Sequence, residues 1–171
     1  MADFTGPYEA MILAEGGYKL TKIKGDKGGQ TYAGIARTRN PQWEGWHYID
    51  NGELPPASIV REFYRDNFWD AIRGDDIESS TIAGMVFDFA VNAGVSVAVK
   101  LAQVVAGVTP DGKAGPKTVA ALGAVDPEHF KLAYTVAKIA RYAAIANRDP
   151  SQKQFMLGWT NRALKVLEDA K

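Results

Sequence analysis

The sequence predicts a mainly α-helical fold with a small irregular β-hairpin or extended loop after the first helix. Apolar residues recur at helical spacing over most of the chain beyond residue 54, whereas residues 18–36 alternate weakly and carry two glycine-containing turns. The 171 residues are 46% hydrophobic and 23% charged, so the chain can bury a core. We expect one compact lobed unit, with an N-terminal lobe at 1–54 and a helical lobe at 55–171.

The predicted helix boundaries follow from proline, glycine and capping residues. Residues 7–15 predict a short helix, with Gly16 as the left-handed residue beyond its end. Asp126-Pro127-Glu128 combines an N-cap, a first-turn proline and a first-turn acid, and it predicts a long helix to about Asn147. Residues 38–53 are polar and aromatic and predict a loop. Further helices are predicted to start at Pro55–Pro56, Ser79–Ser80, Ser96, the end of 109–118, and after Asp149-Pro150.

Composition and charge exclude several classes of function. Twenty basic and twenty acidic residues give a net charge of zero, which does not predict a nucleic-acid-binding surface. The absence of cysteine excludes disulfides, zinc–thiolate sites and thiol catalysis. No apolar run is long enough for a membrane span, and the N-terminus lacks the pattern of a secretory signal. We therefore expect synthesis in the cytoplasm and no stable membrane insertion.

Glu15 breaks a local rule of helix stability. It stands at the predicted C-terminal end of the first helix, before Gly16-Gly17-Tyr18, where the helix dipole disfavours negative charge. Burial beside Ile12, Leu13 and Tyr18 would disfavour that charge further. Such departures are enriched at functional sites, and a carboxylic acid that keeps its proton near neutral pH suits a general acid.

A glycine-rich turn follows at residues 26–31. Gly28 and Gly29 let the backbone turn tightly and approach a ligand closely. We expect Asp26 on this turn to stay ionised, and Thr31 offers a hydroxyl that can hold a water molecule. One protonated acid and one carboxylate suit glycosidic bond cleavage. From chemistry alone, a plain helix stop and a plain turn remain the commoner explanation of such short patterns.

The two patterns together resemble the signature of a known enzyme family. AEGGY at 14–18 and D-x-G-G-x-T-x-x-G-I at 26–35 resemble glycoside hydrolase family 108, N-acetylmuramidases found as phage and prophage endolysins and as muramidases that assist toxin secretion. The family's C-terminal half, often described as a predicted peptidoglycan-binding domain, is similar to the segments at 68–77, 87–103, 111–118 and 155–162. The resemblance implies a lysozyme-like fold over nearly the whole chain.

The resemblance also implies the chemistry and the catalytic residues. Glu15 matches the family's catalytic glutamate, and Asp26 and Thr31 match its downstream motif, in which Lys27 stands where proline is common. The implied reaction is hydrolysis of the β-1,4 bond from N-acetylmuramic acid to N-acetylglucosamine in peptidoglycan glycan strands. Neither a metal nor an organic cofactor is implied. The resemblance to endolysins further implies release by a holin and action at the periplasm or cell wall.

Other residues are candidates for substrate binding. Exposed aromatic rings can stack on sugars, glycines allow close backbone approach, and Asp88 and Asn92 share one face of a predicted helix. The alternative for each is a structural role, as a loop anchor, a turn or a buried hydrogen-bonded pair. The substrate-binding candidates are Tyr18, Gly28, Gly29, Trp43, Trp46, Tyr48, Asp88 and Asn92.

Three other functions remain open from the sequence. A lytic transglycosylase would also need a catalytic glutamate but no positioned water. A non-catalytic wall-binding protein would bind peptidoglycan and cut nothing. An intracellular structural or adaptor protein would bind no wall material.

Overall fold

The computed structural model describes residues 1–22 and 29–168. They form two compact units, one of residues 3–71 and one of residues 1–2 with 72–171. The division follows Ala71, whereas the sequence analysis placed the lobe boundary after Leu54. The reason for the difference is that Tyr64 and Trp69 are buried among the aromatic side chains of the first unit.

Helices dominate both units, so the predicted mainly α-helical class is confirmed. The first unit contains α1 (Thr5–Ala14), β1 (Leu20–Lys22), β2 (Gln30–Tyr32), β3 (Ile35–Ala36), α2 (Gly45–Asp50) and α3 (Ala57–Tyr64), and a π-helical turn, Arg65–Trp69, continues α3. The second unit contains α4 (Ser80–Ala93), α5 (Val95–Val105), α6 (Pro116–Gly123), α7 (Pro127–Arg148) and α8 (Met156–Glu168). Short 3-10 helices lie at Gly74–Asp76 and Pro150–Phe155.

The end of α1 has the predicted glycine stop. Gly16 and Gly17 have φ angles of +90° and +80°, which residues with a Cβ adopt only at a cost. The backbone N–H of Gly17 donates to the carbonyl of Ile12 at 2.9 Å and so satisfies one of the last helix carbonyls. Glu15 is therefore the residue at which the helix ends and the chain turns towards β1.

The three strands form one small antiparallel sheet in the order β1-β2-β3. Thr31 in the central strand lies opposite Thr21 in β1 and Ala36 in β3. Tyr32 is buried, whereas Thr31 is only half-buried, as alternation along a strand requires. Among the described residues of 18–36, the sheet buries Tyr32 and Ile35 and leaves Leu20 43% exposed.

Two helix starts follow the predicted caps and one does not. The side chain of Ser79 accepts from the N–H of Ile82, and that of Asp126 accepts from the N–H of His129, as predicted. The prediction that Ser96 caps the third helix is wrong. That helix begins at Val95 because Gly94, with a φ of +92°, already breaks the chain there.

The prediction of a loop over residues 38–53 is wrong at residues 45–50, which form α2. Gly45 permits this turn, because a Cβ there would lie 2.3 Å from the ring of Trp43. The indole N–H of Trp46 donates to the carbonyl of Asn40 at 2.7 Å and ties the helix to the preceding segment. Aromatic packing, not polar sequence, decides the structure here.

The second unit is built around α4, whose apolar residues are buried on most sides. Its Phe89 contacts the ring of Tyr134 in α7, and the Tyr134 hydroxyl donates to the carbonyl of Ala98 in α5 at 3.0 Å. Over the described residues, none of the helices combines the length and the apolarity that crossing a bilayer requires.

A buried glutamine holds the turn that precedes α6. The Gln103 side chain donates to the Asp111 carboxylate at 2.7 Å and to the Thr118 hydroxyl at 2.9 Å, and it accepts from the N–H of Gly112 at 2.9 Å. The glutamine also holds the pKa of Asp111 below its usual range. A buried amide with every group paired specifies one turn geometry.

Replacement of Gln103 by Leu is expected to lower the free energy of unfolding by about 1–3 kcal/mol, since Gly112 and Thr118 lose their partner. Urea denaturation followed by circular dichroism measures the change. Gln154→Leu, at an exposed position, serves as the control and should stay within about 0.5 kcal/mol of the parent. Equal stabilities of the two variants would contradict the role given to Gln103.

Candidate active site

The Glu15 carboxylate is packed against the β2–β3 turn. A Cβ built on Gly34, in that turn, would lie 3.2 Å from Cγ and 3.2 Å from Oε2 of Glu15. Gly34 has a φ of +81°, so both its left-handed conformation and the close approach of Glu15 favour glycine at this position. Glu15 is half-buried, and this burial comes from the sheet and not from Leu13, which is 78% exposed.

Tyr64 of α3 contacts the same turn. Its hydroxyl donates to the carbonyl of Ala33 at 2.8 Å and would lie 2.5 Å from a Cβ at Gly34. Burial, with the charge of Glu15 as the second cause, raises the pKa of Tyr64. The hydroxyl therefore keeps its proton over the functional pH range and remains a donor that fixes the turn beside Glu15.

An arginine holds α1 against α3. The Arg61 guanidinium donates to the Thr5 hydroxyl at 2.9 Å and lies over the rings of Phe4 and Tyr8, 5.0 Å and 5.2 Å from their centroids. Tyr64 follows Arg61 by three residues on the same helix. These contacts therefore hold α1 and the Tyr64 hydroxyl at fixed positions relative to each other.

Tyr18 follows the double glycine and leaves its ring 40% exposed. Its hydroxyl shares a hydrogen bond of 2.9 Å with the hydroxyl of Tyr8, which lies on α1. Burial of Tyr8, followed by this bond, raises the pKa of Tyr8. Tyr18 is thus an accessible ring anchored to the helix that carries Glu15, a suitable surface for a sugar.

The predicted glycine-rich turn is described only in part. Gly29 has a φ of +70° and Thr31 lies in β2. Asp26 and Gly28 lie outside the described residues, so their predicted roles stay predictions.

The prediction that Trp43 and Trp46 are exposed surfaces for sugar stacking is wrong. They are only 9% and 3% exposed. Trp43 stacks on Tyr32, with ring centroids 6.2 Å apart, and meets Trp46 edge-on at 5.1 Å. The rings bury one another and the back of the sheet, so neither offers an open face to a glycan.

The remaining candidates have differing surroundings. Tyr48 is half-buried on α2 and contacts the ring of His47. Asp88 pairs with Arg162 at 3.3 Å. Asn92 is exposed and donates to the backbone carbonyl of Asp88 at 2.7 Å, so the two do not form the buried side-chain pair that the sequence analysis described. Substrate contacts of these three residues stay predictions.

Glu15 was predicted from the sequence, whereas Gly34 and Tyr64, which the structure brings close to it, were not. Gly34 was already part of the quoted motif, as the glycine of T-x-x-G-I, and its place three residues after Thr31 was the available signal. Tyr64 gave no signal, since only the tertiary fold brings α3 to the β2–β3 turn. In the described parts of the chain, no group of three His, Asp or Glu side chains is arranged to hold a metal ion.

The mainly α-helical fold with its small three-stranded sheet is that of a lysozyme-like glycoside hydrolase. Residues 8–94, half of the chain, match glycosyl hydrolase 108, and the chain belongs to this family. Residues 97–164 match a predicted peptidoglycan domain, which supports peptidoglycan as the substrate.

A solved structure supports the same fold. The chain is similar to the structure of Brucella abortus SagA, with a TM-score of 0.74 and 26% sequence identity over 98% of this chain and 92% of that one. No functionally curated protein matches the sequence.

Proposed function

We propose that this chain is an N-acetylmuramidase that hydrolyses the β-1,4 bond between N-acetylmuramic acid and N-acetylglucosamine in peptidoglycan, with Glu15 as the general acid. The observation that carries the proposal is the place of the Glu15 carboxylate, at the end of α1 and against Gly34. The carboxyl is half-buried and packed against the β2–β3 turn, so its position is fixed.

The reaction consumes one water molecule. Glu15 gives its proton to the glycosidic oxygen as the bond to the anomeric carbon breaks, and the Asp26 carboxylate stabilises the positive charge on that carbon or orients the water. The water oxygen bonds to the anomeric carbon, and its proton leaves to a base. Thr31, on the central strand, helps to hold the water.

The two family matches cover different parts of the chain and support a different role for each. We propose that the N-terminal lobe with Glu15 supplies catalysis and that the helical part matching the peptidoglycan domain binds the wall.

The family resemblance supports a role in host lysis, with release by a holin. Lysis of cells that express the chain only when a holin is co-expressed tests this route, and lysis without a holin argues against it.

The products of purified peptidoglycan test the reaction type. A muramidase leaves reducing ends, whereas a lytic transglycosylase leaves 1,6-anhydro sugars and a non-catalytic binding protein leaves the strands intact. We expect reducing ends, detected by mass spectrometry after borohydride reduction. Anhydro products would replace the hydrolase proposal with the transglycosylase alternative.

Thr31→Val is expected to lower kcat by about 10- to 100-fold, because a misplaced water costs up to about 10²-fold in rate. Asp26→Asn is expected to lower kcat further, since it removes the charge that is proposed to stabilise the anomeric carbon. Thr160→Val, at a half-buried position in α8, is the matched control and should keep full activity. Full activity of Asp26→Asn would mean that Glu15 works with another partner.

A further inference from the structure

The first unit contains a concave surface that the proposed reaction does not use. It is an open cavity of about 580 Å³ between the segment at 39–44 and the surface of α3 with its π-helical continuation. This volume lies in the range of small-molecule and cofactor sites. Glu15 does not line the cavity, although it belongs to the same compact unit.

The charge around this cavity is unbalanced. Glu44, Glu62 and Asp66 line it together with a single cation, Arg39, and all four side chains are exposed. Glu62 and Asp66 stand four residues apart, a spacing at which like charges repel on a helix. No ion pair joins any of the three carboxylates to a described residue. A cationic ligand would relieve this repulsion.

The apolar wall of the cavity is aromatic. Trp43 and Phe63 line it with ring centroids 6.1 Å apart, and Trp43 is more than nine-tenths buried. The indole Nε1 of Trp43 is buried and has no acceptor within the described parts of the chain. A buried donor without an acceptor is costly, and this one belongs to a residue in the wall of the cavity.

A metal ion does not fit these observations. The described residues contain no group of three Asp, Glu or His side chains close enough to hold one. Spread carboxylates beside the half-buried ring of Phe63 suit an alkylammonium ion instead, because its methylenes pack on the ring and its charge is attracted by the acids.

We propose that this cavity binds the stem peptide of peptidoglycan through the free side-chain ammonium group of the diamino acid in that stem. The inference rests on the proposed function, because it assumes that the chain acts on glycan strands that carry stem peptides. Glu62 and Asp66 bind the ammonium group, the half-buried ring of Phe63 packs against its methylenes, and Arg39 faces the carboxylates of the stem. The cavity therefore makes the enzyme prefer strands whose stems keep a free amine.

Binding of a soluble stem peptide tests the site without turnover. The probes are the synthetic tripeptide L-Ala–γ-D-Glu–L-Lys and the same peptide acetylated at its side-chain amine, titrated into the full chain by NMR or calorimetry. We expect the free amine to bind about tenfold more tightly, as a few exposed ion pairs and one cation–π contact allow. Equal affinity for the two peptides would overturn the proposal.

The double variant Glu62→Gln with Asp66→Asn keeps side-chain shape and is expected to lose the tenfold preference. The matched control is Glu9→Gln with Glu78→Gln, which removes two exposed carboxylates outside the cavity and should keep it. Thermal melting confirms that both proteins fold. If the cavity variant keeps the preference, the carboxylates do not bind the amine and the assignment is wrong.

Turnover separates this inference from the proposed function. The KM of the parent enzyme for peptidoglycan with acetylated amines should be about tenfold higher than its KM for native peptidoglycan, because acetylation removes the same contacts as in the peptide titration. The cavity variant should not distinguish the two, and both proteins should cut peptide-free glycan strands equally. Absence of reducing ends from every substrate would reject the proposed function alone, while normal cleavage with no effect of acetylation would reject the cavity assignment alone.

Discussion

Glu15→Gln is expected to lower the rate of reducing-end release from purified peptidoglycan by about 10²- to 10⁴-fold, the usual contribution of a general acid. Glutamine has the shape of glutamate and cannot donate an acidic proton. The carboxyl is half-buried against Gly34 and close to Tyr64, so the isosteric amide should keep the packing. The thermal midpoint and the binding to peptidoglycan in a pull-down are therefore expected to stay near those of the parent.

The control for this variant lies on the same helix. Glu9 is exposed on α1 and has the same side chain, so Glu9→Gln changes net charge by the same amount. If Glu9→Gln keeps full activity and Glu15→Gln has none, the loss of activity is due to the Glu15 carboxyl and not to the change in net charge. Activity that persists in Glu15→Gln would instead remove Glu15 from the reaction.

Gly34→Ala is expected to combine a loss of stability with a loss of activity of up to about 10²-fold, because a shift of about 1 Å near the reacting groups can cost that much. The new Cβ would lie 2.5 Å from the Tyr64 hydroxyl and 3.2 Å from Cγ and Oε2 of Glu15. Tyr64 is buried and bonded to the carbonyl of Ala33, so it cannot give way cheaply. The turn or Glu15 must move.

Gly52→Ala provides a close control for Gly34→Ala. Both glycines have a φ of +81°, but a Cβ at Gly52 would meet no atom within 4 Å. Alanine at Gly52 should therefore cost only the left-handed backbone strain, about 1–2 kcal/mol, with activity unchanged. Urea denaturation and kcat/KM measured on both variants separate strain from contact. If the two variants behave alike, Gly34 does not position Glu15.

What could be predicted from the sequence was local. The stop after α1, the caps at Ser79 and Asp126, and the proline starts of α6 and α7 depend on neighbours within a turn, and the structure agrees. Glu15 drew attention for a local reason too, since a carboxylate at a helix C-terminus opposes the dipole. Chemistry alone did not decide between a helix stop and a site, and the family resemblance was needed.

What could not be predicted depends on distant contacts. Trp43 and Trp46 have polar sequence neighbours and were expected to be exposed, yet Tyr32 and Phe63 cover Trp43 from other parts of the unit. The closeness of Tyr64 and Gly34 to Glu15 likewise arises only when α1, the sheet and α3 pack together. Periodicity reports which residues face a core, but it does not report which of them meet there.

The role of Glu15 as the general acid of a muramidase is tested by the identity of the new sugar end formed by the parent enzyme and by Glu15→Gln. Purified peptidoglycan is digested, reduced with borohydride and hydrolysed, and the reduced amino sugars are quantified. We expect muramic acid to be the sugar reduced in the parent digest and neither sugar to be reduced above background in the Glu15→Gln digest. Reduced glucosamine from the parent enzyme, or reduced muramic acid at the parent rate from the variant, would contradict this role.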